Sequence, residues 1–205
     1  MIRRLLIPVI LCAAVMSQAA DDLPRLDNPM SVQYLEKTLR PEHPQLVFTP
    51  EILSGLKEKL KTDPVLQNRV AAIRLKAKKI FNKPLLERRL KGRRLLSTSR
   101  EMLYRINMLG SLYLLDKDPA ALERINEELL AVCAFEDWNP SHFLDVGEMS
   151  LAVALALDWT VGALPASTVQ IAKEALIEKG LRAGWPKDHV PNWAYRNNNW
   201  NQVCN

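Results

Sequence analysis

Apolar residues recur at intervals of three and four along most of this chain, and that interval predicts helices. Within 99–115, Met102, Ile106, Leu109 and Tyr113, with the leucines beside them, fall on one side of a helix. Leu122, Ile125, Leu129, Leu130 and Cys133 do the same within 119–134. From Phe143 to Val161 the pattern changes: Leu151 to Leu157 contains no polar residue at all. A helix without a polar face is one covered by neighbours on every side. A further amphipathic stretch runs from about Ser167 to Leu181 and ends at Gly184. No period-two alternation separates these segments, so the expected class is all-α.

The helix starts share one chemistry. Thr49-Pro50, Asp63-Pro64 and Asp118-Pro119 each put a capping side chain ahead of a proline. The capping oxygen accepts a first-turn N–H, and proline loses nothing at N1, where its missing donor had no helical partner. Thr98 with Glu101 has the spacing of a capping box. Before Thr49, residues 20–48 carry Pro24, Pro29, Pro41 and Pro44 and read as a lead-in arm with one short helix near Val32–Thr38. Helix pairs joined by short loops fit either an (α/α) toroid or an open solenoid. The lack of a visible short repeat favours the toroid.

Residues 1–19 have the layout of a secretory signal: Arg3 and Arg4, an apolar run from Leu5 to Met16, then Ser17 and Ala19 flanking a cleavage position. The apolar run is short for a membrane span, which needs about 20 residues. Cys12 after Leu11 makes a poor lipoprotein signal. The expectation is an exported, periplasmic or secreted chain without stable membrane insertion once the signal is removed. Export permits a bridge between Cys133 and Cys204; two buried free thiols are the simpler expectation.

The formal net charge is +5, and it is unevenly placed. Twelve Lys or Arg residues and a single acid, Glu87, lie between Arg69 and Arg100. Such a segment attracts polyanions, or it is simply a solvated helix face and a basic loop. For an exported chain an acidic polysaccharide is a better partner than nucleic acid. There is no Gly-rich phosphate loop, no paired-Cys metal motif and no G-x-S-x-G turn. Neither a metal nor another cofactor is expected.

Four stretches resemble the heparinase II/III-type polysaccharide lyases and related alginate and oligouronide lyases: His43–Pro64, Ser99–Pro119, FEDWNPSHFLDVGEMSLAVALALDW at Phe135–Trp159, and NNNWNQVCN at Asn197–Asn205. The last two are the more specific. The resemblance implies a toroid followed by β-sandwich domains, and β-eliminative cleavage of a uronate-containing glycan, heparin-like or alginate-like. It also implies that the acid and base of that reaction lie beyond Asn205, so the expectation is an N-terminal part of such a lyase, with residues 49–205 in its toroid, inactive alone.

Elimination requires that the uronate carboxylate be neutralised so that charge developing at C5 is stabilised; a base then takes the C5 proton and an acid protonates the leaving oxygen. Asn201 first and Asn205 second are the candidates for holding the carboxylate, four apart if a helix starts near Asn199. Such a helix start would add backbone donors. Trp193, Tyr195 and Trp200 are candidate sugar-stacking rings, Arg196 a candidate uronate partner, and Asn199 and Gln202 further amide donors. Asparagine runs also arise from loop and cap chemistry alone. A second cluster, Trp138, Asn139, His142, Asp145 and Glu148, either lines the cleft, with His142 and Glu148 on substrate, or forms a structural network at the start of the apolar helix. Two other functions stay open: an exported toroid glycosidase, for which Asp145 and Glu148 are the only evident carboxylates, and a non-catalytic helical scaffold that binds glycan or protein.

Overall fold

The computed structural model describes residues 31–184, 192–195 and 197–204. The signal segment 1–19, the arm up to residue 30, His189, Arg196, Asn205 and the side chain of Tyr195 lie outside the described residues. The chain divides into two compact units, 1–41 and 42–205. In the first, α1 (Val32–Thr38) is capped by the Ser31 hydroxyl, which accepts from the Tyr34 N–H.

The described residues of the second unit are mostly helical. Its elements are α2 (Pro50–Leu60), α3 (Pro64–Phe81), α4 (Leu96–Asp116), α5 (Pro119–Cys133), a 3₁₀ turn at Pro140–His142, and α6 (Leu144–Trp159). Then come α7 (Ala166–Ala175), continued by a π-helical turn at Leu176–Leu181, a 3₁₀ turn at Asn192–Tyr195, and α8 (Asn199–Cys204). Among the described residues there is no strand; Lys91 and Arg94 form an isolated bridge. Among them, too, no helix is long and apolar enough to cross a membrane.

Thr49, Asp63 and Asp118 cap α2, α3 and α5 as expected, each ahead of a proline. The capping box at Thr98 does not form. Helix α4 begins at Leu96, one turn earlier, with no side-chain cap. Thr98 is buried and Glu101 is drawn away by Lys83 and Arg105. The earlier start has its own donor partner, because the Leu95 N–H reaches the Asp145 carboxylate.

Helices α4 and α6 form the centre, with α3 and α5 against α4 and α7 against α5. Met102, Ile106, Leu109, Ile125, Leu129, Met149, Ala152 and Val153 are all fully buried there. The approach of α4 to α6 depends on Gly110, where an added Cβ would lie 2.4 Å from Trp159 Cε3. Two apolar expectations need correction. Leu130 is 38% exposed, because Val132 takes the inward position on α5. Leu151 is 47% exposed, so α6 is not covered on every side. An ionic layer also crosses the apolar interior: Arg105 and Arg124 both donate to Glu128 Oε1, at 2.5 and 2.8 Å, and both also reach backbone carbonyls of 81–84.

Candidate functional site

The site is organised by Asp145 in the first turn of α6. Its side chain is fully buried and accepts three hydrogen bonds. The Leu95 N–H and Asn139 Nδ2 donate to Oδ2, each at 2.6 Å, and His142 Nδ1 donates to Oδ1 at 2.7 Å. A buried carboxylate is tolerated only when it is saturated in this way. Asn139 holds the left-handed backbone conformation (φ 63°) that asparagine adopts more readily than other side chains. Its amide also donates to the Arg93 carbonyl at 2.9 Å, and its Oδ1 accepts from the Ser141 hydroxyl at 2.8 Å. Trp138 is wholly buried, with its indole N–H on the Val132 carbonyl. Of the N-P-S-H-F-L-D stretch, Asn139 and Asp145 are therefore framework, and His142 is the ring they orient.

Glu148 lies one turn on, paired with Arg100, whose Nε is 3.0 and 3.1 Å from the two carboxylate oxygens. It lines a largely apolar groove of about 620 Å³ between α6, the π-helical turn and α8. The π-turn shapes one wall: the Arg182 N–H reaches back five residues to the Ile177 carbonyl. Gly180 there lies so close to α6 that a Cβ would come within 2.7 Å of the Ser150 hydroxyl. Lys179 on the same turn donates to the Cys133 and Phe135 carbonyls, satisfying the end of α5.

Helix α8 closes the other wall. The Val203 carbonyl would be 2.9 Å from a Cβ at Gly147, so only glycine lets α8 approach α6 so closely. Trp200 meets His142 edge-on, with centroids 4.9 Å apart and planes at 79°. Asn201 Nδ2 donates to the Ala194 carbonyl at 2.8 Å, tying α8 to the 3₁₀ turn before it. Asn199 and Gln202 are exposed, and Gln202 borders the groove. The expected helix-start donors are reduced, since Asn198 Oδ1 already accepts the Trp200 N–H at 3.1 Å. Trp193 is not a sugar platform: it is 7% exposed and stacked on Phe143 at 4.6 Å.

Cys133 and Cys204 are both free, the first buried and the second partly so. Burial pushes each thiol up to about 11, so neither forms thiolate near neutral pH. Among the described residues no three His, Cys, Asp or Glu side chains gather as a metal site.

The structure adds one tie that the pattern did not suggest. Asp158, near the end of α6, accepts from His43 Nδ1 at 2.6 Å and from the Gln45 and Leu46 N–H groups. His43 thus clips the lead-in segment to the buried helix. The one available signal was an aspartate at the end of an apolar run, which needs partners from elsewhere.

No protein-family model and no curated protein sequence matches this chain. The functional reading therefore rests on the residues and their geometry.

Proposed function

We propose that this chain is the N-terminal, toroid-forming part of an exported polysaccharide lyase acting on uronate-containing acidic glycans. Its own role in that reaction is to recognise the substrate, not to transfer protons. The observation that carries the reading is the close approach of α8 to α6 at Gly147, beside the contact of the Trp200 ring with His142 and a groove lined by Gln202 and Glu148. A half-buried indole beside an oriented imidazole and several amides is a composition suited to a sugar ring bearing a carboxylate. Asn201 Nδ2 donates to the Ala194 carbonyl, which fixes where the side-chain amide sits on α8. Amide donors aimed at that carboxylate lower the cost of charge developing at C5.

A glycosidase built on Asp145 and Glu148 has less support. Asp145 is buried and saturated by three donors, and Glu148 is paired with Arg100. Neither is placed as a general acid or as a water-activating base.

The test is titration of the chain with uronate oligosaccharides and with neutral oligosaccharides of equal length, read by tryptophan fluorescence. Saturable binding of the uronates alone is expected. Asn201→Ala should weaken it about tenfold or more, because a hydrogen bond to a charged group contributes roughly 1.5–3 kcal/mol. Equal binding of neutral sugars overturns the proposal. Ultraviolet absorbance from an unsaturated uronate product, formed by this chain alone, overturns the division of roles.

A further inference from the structure

The basic segment between α3 and α4 is tightly held. Lys91 and Arg94 exchange backbone hydrogen bonds, 2.9 and 3.2 Å long, around Gly92 at φ 61°. On the C-terminal side the backbone is anchored from within. The Arg93 carbonyl accepts from Asn139, the Leu95 N–H donates to Asp145, and the Leu95 side chain is fully buried. The side chains of Arg89, Lys91, Arg93 and Arg94, in contrast, are all exposed.

Several cations nearby are held by acids. Arg88 pairs with Glu136 and Asp137, Lys83 with Glu101, Arg74 with Asp116, and Arg105 with Glu101 and Glu128. Among the described residues, Arg89, Lys91, Arg93 and Arg94 have no ion-pair partner. Four like charges are therefore held within six residues on an anchored turn, uncompensated except for the nearby Glu87. Mutual repulsion disfavours that arrangement, and a bound polyanion relieves it. A small pocket of about 250 Å³ opens alongside, bordered by Arg89, Thr98, Arg105 and Glu87.

The turn is also directly coupled to the tail site. The hydrogen bond from Asn139 to the Arg93 carbonyl, and those from Leu95 and His142 to Asp145, belong to one network. From that geometry we infer that the 89–94 turn is a second anion subsite, binding sulfate or carboxylate groups of the same glycan chain that reaches the ring at Trp200. The inference deepens the proposed function and rests on it only for the identity of the glycan. It makes the preferred ligand a long polyanionic chain instead of a short uronate.

The experiment compares the chain with its Arg89→Gln/Arg93→Gln/Arg94→Gln variant. The probes are a uronate disaccharide, long alginate chains, heparin and a DNA duplex. The anchors at this turn are backbone groups and Leu95, so the variant should keep its thermal midpoint. Expected is a loss of about tenfold or more for both long glycans, with the disaccharide unchanged. The slope of log affinity against log salt should fall by up to about one per cation removed. Unchanged long-chain affinity in the variant, or DNA binding tighter than either glycan, overturns the inference. Loss of long-chain binding in this variant but not in Trp200→Ala supports the subsite while overturning the tail as the recognition site. If the triple variant unfolds, the single variant Arg93→Gln and the parent's salt slope decide: a slope near zero overturns the inference.

Discussion

Asp145 does most to position the site, and its role comes from acceptance, not from catalysis. One buried carboxylate satisfies a backbone N–H ahead of α4, the amide of a left-handed asparagine, and a histidine ring. Removing it leaves buried donors without partners, each costing about 1–3 kcal/mol. Asp145→Ala should therefore lose on the order of 3 kcal/mol in chemical denaturation, and the His142 ring should lose its fixed orientation. A loss under about 1 kcal/mol would show that water replaces the carboxylate easily. Spacing alone placed His142, Asp145 and Glu148 on one side of a helix. It did not separate them, because burial differs sharply over three residues: Asp145 is sealed, whereas Glu148 borders the groove and meets Arg100.

Between elements, the decisive contacts occur where a helix has no side chain. Gly110 admits the Trp159 ring between α4 and α6, and Gly147 admits the α8 backbone. The obstacle at Gly147 is a carbonyl oxygen, which no rotamer change can move aside. Gly147→Ala should accordingly displace α8, move Trp200 emission to longer wavelength and weaken uronate binding about tenfold, at unchanged helical content. Normal binding with a red-shifted emission would separate Trp200 from recognition. Helix starts at this scale were legible wherever the signal was local. Thr49, Asp63 and Asp118 need only their own next residues to cap. At Thr98 the same local rule failed, since a partner fifty residues away, Asp145, supports an earlier start.

Across the described residues of 42–204, several arginines and lysines are matched by acids, whereas the four cations of the 89–94 turn are not. Arg74 holds Asp116 below the usual carboxylate range by hydrogen bonding. Burial alone would raise Asp137 and Glu101. Hydrogen bonds from Arg88 and the Asn139 N–H to the former, and from Lys83 and Arg105 to the latter, outweigh it and lower both. A carboxylate with a depressed folded pKa contributes stability above its unfolded pKa and loses it as pH falls through the folded value. Folding stability should thus hold down to about pH 4 and decline below it, the unfolded carboxyls titrating near 3.9–4.3. Replacing Arg74 and Arg88 by glutamine should flatten that decline in denaturation measured across the acid range. An unchanged profile would show that these pairs are too screened to matter.

The amino-acid order by itself determined the all-α class, the approximate places of most helices and three of the caps, because periodicity and capping are set by residues a turn apart. It also marked the basic segment and the Asn- and Trp-rich tail as the places with unusual chemistry. Only the tertiary structure decided which polar residues are framework and which face the groove. It buried Trp193 while leaving Trp200 on His142, engaged Asn201 with Ala194, and tied the Arg93 backbone to Asn139. Those outcomes depend on contacts between residues far apart in the chain, where desolvation and donor matching outweigh any local preference.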